Sequence, residues 1–241
     1  MDRALWISWY DLADGDRDEY VQWLQARYIP QRLAQLGLLW AAHFKTEVNP
    51  RMSGVPLGEK GRLHHTDDKA VPTGNAYILI FGAETPHAFA HPTPGKLHAD
   101  LPQEDRKMLA MRRSERTNIM IDEDRVDGPE ARQRKRGEAL SPCIQLGSFN
   151  AGSNDEEEIL AWYAQWRLPS LSKLPGSVGM RKLVSVAGWA KHGVLYEFTS
   201  LAARNEHFPD HEQANPEMEA WTDRFVRKLL HAPGSPNLAQ R

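Results

Sequence analysis

EYVQWLQARYIPQRLAQLG (residues 19–37) and EILAWYAQWRLPSLSKLPG (residues 158–176) read as two copies of one segment. Trp23, Pro30 and Gly37 match Trp162, Pro169 and Gly176 at one constant offset, without a gap. Each copy follows a short apolar run and precedes another, so one chain holds two copies of a small α+β unit.

The first copy opens on ALWISWY (residues 4–10), in which Leu5, Ile7 and Trp9 alternate with Trp6, Ser8 and Tyr10, the period of a strand. An acidic turn, DLADGDRD, then suits a helix N-terminus. The spacing predicts a helix over residues 17–36, with Val21, Leu24 and Tyr28 on one face. Pro30 predicts a kink or break, and Gly37 a stop. Strands are expected at residues 38–48, 76–81 and 115–126, with broken helix within 86–111. The second copy repeats this order: strand 142–150, helix 155–174 with Pro169 at the repeated break, and a hairpin of 177–188 with 193–200. Its clearest later helix is 218–231, and no fourth strand is expected in it. The tail HAPGSPNLAQR reads as a Pro/Gly turn that closes a barrel end or simply trails. The expected division is a first repeat over 1–127, a linker over 128–141 and a second repeat over 142–241.

The order β-α-β-β-α-β is the ferredoxin-like unit, giving an α+β fold with antiparallel sheets. Strand–helix–(I/L)P–x₅₋₆–G–strand, present twice, resembles the dimeric α+β barrel superfamily across most of both halves, and is most similar to its EthD-like (ethyl tert-butyl ether degradation) catabolic and biosynthetic members. The resemblance implies two sheets face to face, helices outside and a cavity between the sheets. It also implies a choice among cofactor-free monooxygenases, cyclases, isomerases, lyases and haem enzymes, which fold alone does not make. Many relatives carry a His just before the (I/L)P pair; here Tyr28 and Arg167 stand in its place, as a phenol donor or an anion clamp.

The copies suggest faces. Leu5 and Ile7 match Ile144 and Leu146, so that face is expected against the helices. Trp6, Ser8 and Tyr10 match Gln145, Gly147 and Phe149, a mixture suited to a cavity wall; Trp40 is a further aromatic candidate for binding. Ala42-His43 match Arg181-Lys182, and one of each pair should point inward. Glu197, aligned with Ile80, is a carboxylate in an apolar strand and calls for a cationic partner: Arg181, Lys182 or Arg167.

With 30 Lys+Arg, 32 Asp+Glu and a net charge of −2, nothing globally favours nucleic acid or an anionic membrane. RQRKR (residues 132–136) reads as a solvated linker. The lone Cys143 excludes an intrachain disulfide and reads as a buried thiol. No apolar stretch suggests a signal peptide or membrane span, so a cytoplasmic location is expected. His87/His91 and His207/His211 have i,i+4 spacing, but prolines interrupt them and no carboxylate motif accompanies them, so no metal is expected. The polar stretch 49–75, with Lys60, Arg62, His64 and His65, reads as a mobile loop or a lid. Dinucleotide, P-loop, nucleophile-elbow and zinc-deaminase signatures are missing.

The expectation is an enzyme without a cofactor, acting on a small hydrophobic or aromatic catabolite by proton-transfer chemistry, as a retro-aldol type lyase or an isomerase. Tyr28, His43 or Tyr10 would move the proton, Arg167, Arg181 or Lys182 would hold an oxyanion, and Glu197 would orient the cation or act as base. A non-catalytic binding protein and a haem or metal enzyme are the alternatives. A homodimer is compatible with the duplication.

Overall fold

The computed structural model describes residues 2–35, 37–47, 63–133 and 139–241. Alternation in the first apolar run produces β1 (Ala4–Asp11). The following helix is not broken at its proline. It runs as α1 (Arg17–Trp23), a π-helical turn over Leu24–Tyr28, and α2 (Ile29–Leu33). Pro30 has no N–H to donate and its ring crowds the preceding turn, and the wider π turn accommodates both. β2 (Leu38–Thr46), the two-residue β3 (His64–His65) and β4 (Tyr77–Ala83) come next, then α3 (Pro94–Ala99), α4 (Gln103–Leu109) and the long β5 (Arg113–Asp127).

The second half repeats the plan. β6 (Cys143–Asn150) leads to α5 (Glu156–Trp162), a second π turn over Tyr163–Arg167 and α6 (Leu168–Leu171), which begins at the matching Pro169. β7 (Ser177–Ala187) and β8 (His192–Phe198) form the expected hairpin, and α7 (Leu201–His207) and α8 (Pro216–Val226) follow. The last helix ends before residue 231, because Leu230–His231 form β9 against β3 and β6. The tail then supplies the strand that had not been expected, β10 (Asn237–Gln240). Its four residues are too few to show a period, and Pro and Gly just before it mask the signal. Gly37 and Gly176 end the paired helices at φ +93° and +77°, the left-handed region in which glycine is free of strain.

Within the first half the strand order is β2-β4-β1-β5, and within the second β10-β6-β8-β7, the ferredoxin-like order in each. β5 pairs with β7 and β10 pairs with β2, so eight antiparallel strands close into a barrel with the helices outside. The first seam runs from Ile119↔Ala187 to Asp127↔Gly179; the second is only Ala239↔Thr46 and Gln240↔Lys45.

The barrel interior reverses the faces expected from the repeats. Leu5, Ile7 and Trp9 point inward, where they meet Ile78, Ile80, Ile144, Leu146 and Leu195, all buried. The expected cavity between the sheets is therefore filled by apolar side chains. Trp6 and Tyr10 lie on the outer face, packed under Tyr20, Leu24, Tyr28 and Leu97 of the helices. Mostly aliphatic side chains interlock at the axis, with Trp9 and Phe44 among them, while Trp6 and Tyr10 join the aromatic cluster under the helices. The register also corrects one alignment. Ile7 pairs with Ile80 and Leu146 with Leu195, so the counterpart of Ile80 is Leu195, and Glu197 corresponds to Gly82.

Cys143 is buried, and burial pushes its thiol up to about 12. No helix among the described residues is long and apolar enough to cross a membrane. The stretch 48–62, with Lys60 and Arg62, and residues 134–138, which include the last three of the basic run, lie outside the described residues.

If the interior column carries barrel closure, Ile7→Ala should cost about 2–5 kcal/mol, the range for truncating a large buried aliphatic side chain. Leu39→Ala, at a side chain 47% exposed, should cost well under half of that. Urea unfolding of both variants measures the difference.

Candidate active site

Between the outer face of the first-half sheet and its helices lies a connected group of aromatic, imidazole and guanidinium side chains. The buried stripe of the first helix is Tyr20, Leu24 and Tyr28, with Val21 only half-buried, so the i, i+4, i+8 face is the packed one. The π turn places Tyr28 at its last position. β2 alternation sends Ala42 inward and His43 outward.

The Tyr10 hydroxyl and His43 Nε2 are 2.9 Å apart, and the imidazole lies nearly parallel to the Tyr10 and Tyr77 rings, with centroids at 6.1 and 5.6 Å. Arg112, at the foot of β5, donates from Nε to the Tyr20 hydroxyl at 2.6 Å and from Nη1 to Glu115 at 2.6 Å. Its guanidinium carbon is 4.6 Å from the Tyr10 ring centroid and 5.6 Å from that of Tyr28. At the far side the Tyr28 hydroxyl meets His98 Nε2 at 2.7 Å. Burial, reinforced by the Arg112 charge, holds both His43 and His98 down to about 4, so both rings are neutral at pH 7. Burial also pushes the Tyr10 and Tyr28 phenols well above their ordinary value.

One edge of this group is open. A cleft of about 590 Å³ runs under α1 to the β2–β10 seam, with His43 and Tyr77 in its wall beside Arg17, Asp18, Lys45 and Arg241. A neutral imidazole that faces a cleft, and is oriented from behind by a phenol, has a ring nitrogen free to accept a proton.

The second half places different chemistry at the same points. Arg167, in Tyr28's position, donates to the Tyr196 hydroxyl at 2.8 Å, to Glu212 at 2.6 Å and to His211 at 2.8 Å. Lys182, in His43's position, donates to Glu123 at 2.9 Å and to His192 Nδ1 at 3.1 Å, and His192 reaches Glu156 at 3.0 Å. Burial, partly opposed by Glu123, lowers the Lys182 ammonium pKa. Phe149 stacks on His192, and Gln145 accepts from Arg204 at 3.0 Å. These charges are matched with one another across the helix–sheet space.

The sequence candidates thus fall into separate places. Tyr10, Tyr28 and His43 come together in the first half, with Trp6 tilted against Phe81 and His98 and with Ser8 bonded to Thr117. Arg167, Lys182, Gln145 and Phe149 belong to the second-half network. Arg181 and Glu197 point to one end of the barrel interior, where Arg181 pairs with Asp2 at 2.8 Å, Glu197 accepts from the Ser141 N–H at 2.9 Å, and Trp40 donates to Asp2 at 3.1 Å. Arg112, Tyr20, Tyr77 and His98 were not among the candidates. Tyr20 was legible, since it shares a helix face with Tyr28; Arg112 gives no local signal.

No family profile matches the chain, and no curated protein does. Solved structures do. An anthrone oxidase-like protein superposes with a TM-score of 0.63 at 11% identity, over 99% of this chain and 90% of its own. A presumed monooxygenase of Fusobacterium nucleatum gives 0.58 at 7% identity, over 99% and 92%. A presumed chlorite dismutase gives 0.52 at 11% identity, over 100% and 95%. The chain has the fold of the ferredoxin-like α+β barrels. None of these three bears an EthD name, and at such identities the likeness speaks of fold alone.

Haem, one of the alternatives raised by the sequence, does not fit His43, His192 or His211. His192 and His211 are engaged at both ring nitrogens, the latter by Arg167 and the Phe208 carbonyl. His43 lies parallel to two neighbouring tyrosine rings and beside charged side chains, whereas a haem needs a broad apolar slot at its axial histidine. Among the described residues no three His, Cys, Asp or Glu side chains gather as a metal site.

The buried imidazoles make stability pH-dependent. His43, His98, His211 and His231 are each held down to about 4. Unfolded, each takes up a proton as the pH falls through about 6.5; folded, each resists until about 4. The unfolded state binds more protons in that window, so their contribution is full above it and is lost as the pH drops. The urea midpoint should fall between pH 7 and 4, and His43→Gln should make that fall shallower.

Proposed function

We propose that this protein is an enzyme that removes a proton from a small aromatic or hydrophobic substrate bound in the cleft under α1, with no cofactor required. One observation carries this reading: His43 is a neutral imidazole in the cleft wall, bonded behind to the buried Tyr10, whose ring lies 4.6 Å from the Arg112 guanidinium. In this scheme His43 is the base. Tyr10 orients it by the hydrogen bond to Nε2. Arg112, beside Tyr10, helps keep the imidazole neutral and so ready to accept a proton. Tyr77 offers a flat aromatic surface to the substrate ring.

The resulting carbanion or phenolate has two fates. Cleavage or reprotonation at another position would make the protein a lyase or an isomerase. Electron transfer to dioxygen would make it an oxidase or monooxygenase. The oxidase and monooxygenase names of the neighbours favour the second, with dioxygen as the co-substrate.

Anthrone, with an acidic ring C–H, is a suitable first probe. The wild-type protein should speed both deuterium exchange at that carbon, followed by NMR, and oxygen uptake at an electrode. His43→Ala should lower both about 10²–10⁴-fold, the usual contribution of a positioned base, while Lys182→Met should leave the remaining folded protein active. A set of acidic aromatic probes that bind but neither exchange nor consume oxygen would instead support a binding protein.

A further inference from the structure

The barrel interior is apolar through its middle and charged at both ends, and the two ends are built differently. At one end Asp2, Asp122 and Glu197 face Arg125 and Arg181, so cations and carboxylates are matched. At the other end stands Arg116, on the inward face of β5 beside Trp9 of β1. It is 3% exposed, and its guanidinium carbon lies 3.9 Å from the Trp9 ring centroid.

Among the described residues Arg116 has no carboxylate partner. Arg112, Arg167, Arg181 and Lys182, all buried, pair with Glu115, Glu212, Asp2 and Glu123. Arg116 has only neutral oxygens: its Nη1 donates to Ser148 Oγ at 3.2 Å and, weakly, to Asn118 Oδ1 at 3.5 Å. Its Nε and Nη2 are buried and without a partner among the described residues, as is the indole Nε1 of Trp9. A buried charge left in this state costs several kcal/mol, and the ring beneath it offsets only part.

The free valences are all donors. Arg116 offers two N–H groups, Trp9 one, and Ser148, whose oxygen already accepts from Arg116, has its own O–H to give. A water molecule carries no charge to balance a guanidinium and accepts about two hydrogen bonds. A small anion neutralises the cation and accepts from the free N–H groups of its Nε–Nη2 edge. Trp9, Asn118, Ser148 and the adjoining Ser235 are all 0–1% exposed, which leaves no route for a bulky organic acid. We propose that Arg116, Trp9 and Ser148 form an enclosed site for a monatomic anion, chloride or bromide, at this end of the barrel. This site is separate from the cleft under α1 and does not depend on the activity proposed there.

Bromide is the probe. Crystals soaked in sodium bromide should show an anomalous peak within hydrogen-bond reach of Arg116 Nε and Nη2. In solution, replacing sodium gluconate by sodium bromide at constant ionic strength should raise the melting temperature of the wild type saturably, as expected for a ligand that binds only the folded state. Arg116→Gln should abolish both the peak and the bromide-specific rise. Trp9→Phe keeps the cation and most of the packing while removing one donor, so it should weaken the apparent bromide affinity several-fold even if the Arg116 variant does not fold. No anomalous peak at Arg116, or a bromide response unchanged in Trp9→Phe, would overturn the proposal.

Discussion

Burial of the inward column of β1 against that of β6 is the constraint on which the remaining architecture rests. Leu5, Ile7 and Trp9 cannot leave water within one four-stranded sheet, because their partners Ile144, Leu146 and Leu195 come from the other half. Neither sheet can therefore complete its core alone, and pairing of β5 with β7 and of β10 with β2 closes the ring around the shared interior. Once the middle of the axis is packed, polar groups are left to the barrel ends and to the space under the helices. The two chemically interesting clusters lie there for that reason.

The repeat made the ferredoxin-like plan legible, since Trp, Pro and Gly at matched positions report a helix, its irregularity and its stop by local physics. Which face of β1 turns inward was not legible. Both faces are buried, so hydrophobicity could not rank them. β10 escaped because its pairing, not its composition, makes it a strand. Of the site, Tyr10, Tyr28 and His43 were visible as divergent positions between copies. Their meeting with Arg112 and His98 was not, because those residues arrive from sequence separations of about seventy residues and more.

The two halves illustrate how one scaffold can be spent differently. Tyr28 and Arg167 occupy the same turn, and His43 and Lys182 the same strand position. In the second half each cation meets a carboxylate, and the polar groups consume one another's hydrogen-bonding capacity. In the first half the imidazole is kept neutral by its surroundings and retains an open side toward the cleft. A group whose bonds are all committed within the protein stabilises; a group with an uncommitted side is available to a visitor. The duplication therefore reads as a division between a half whose polar groups brace one another and a half that keeps one of them open to a cleft.

The burial of Cys143 has a consequence for durability. Attack by peroxide requires a thiolate that solvent can reach, and this thiol is both enclosed and held in its protonated form. Sulfenic acid formation, glutathione capping and disulfide exchange are all closed to it. A protein that turns over beside dioxygen and its reduced products would thus carry its only sulfhydryl where that chemistry does not reach, and redox tuning of the barrel through cysteine is absent from its repertoire.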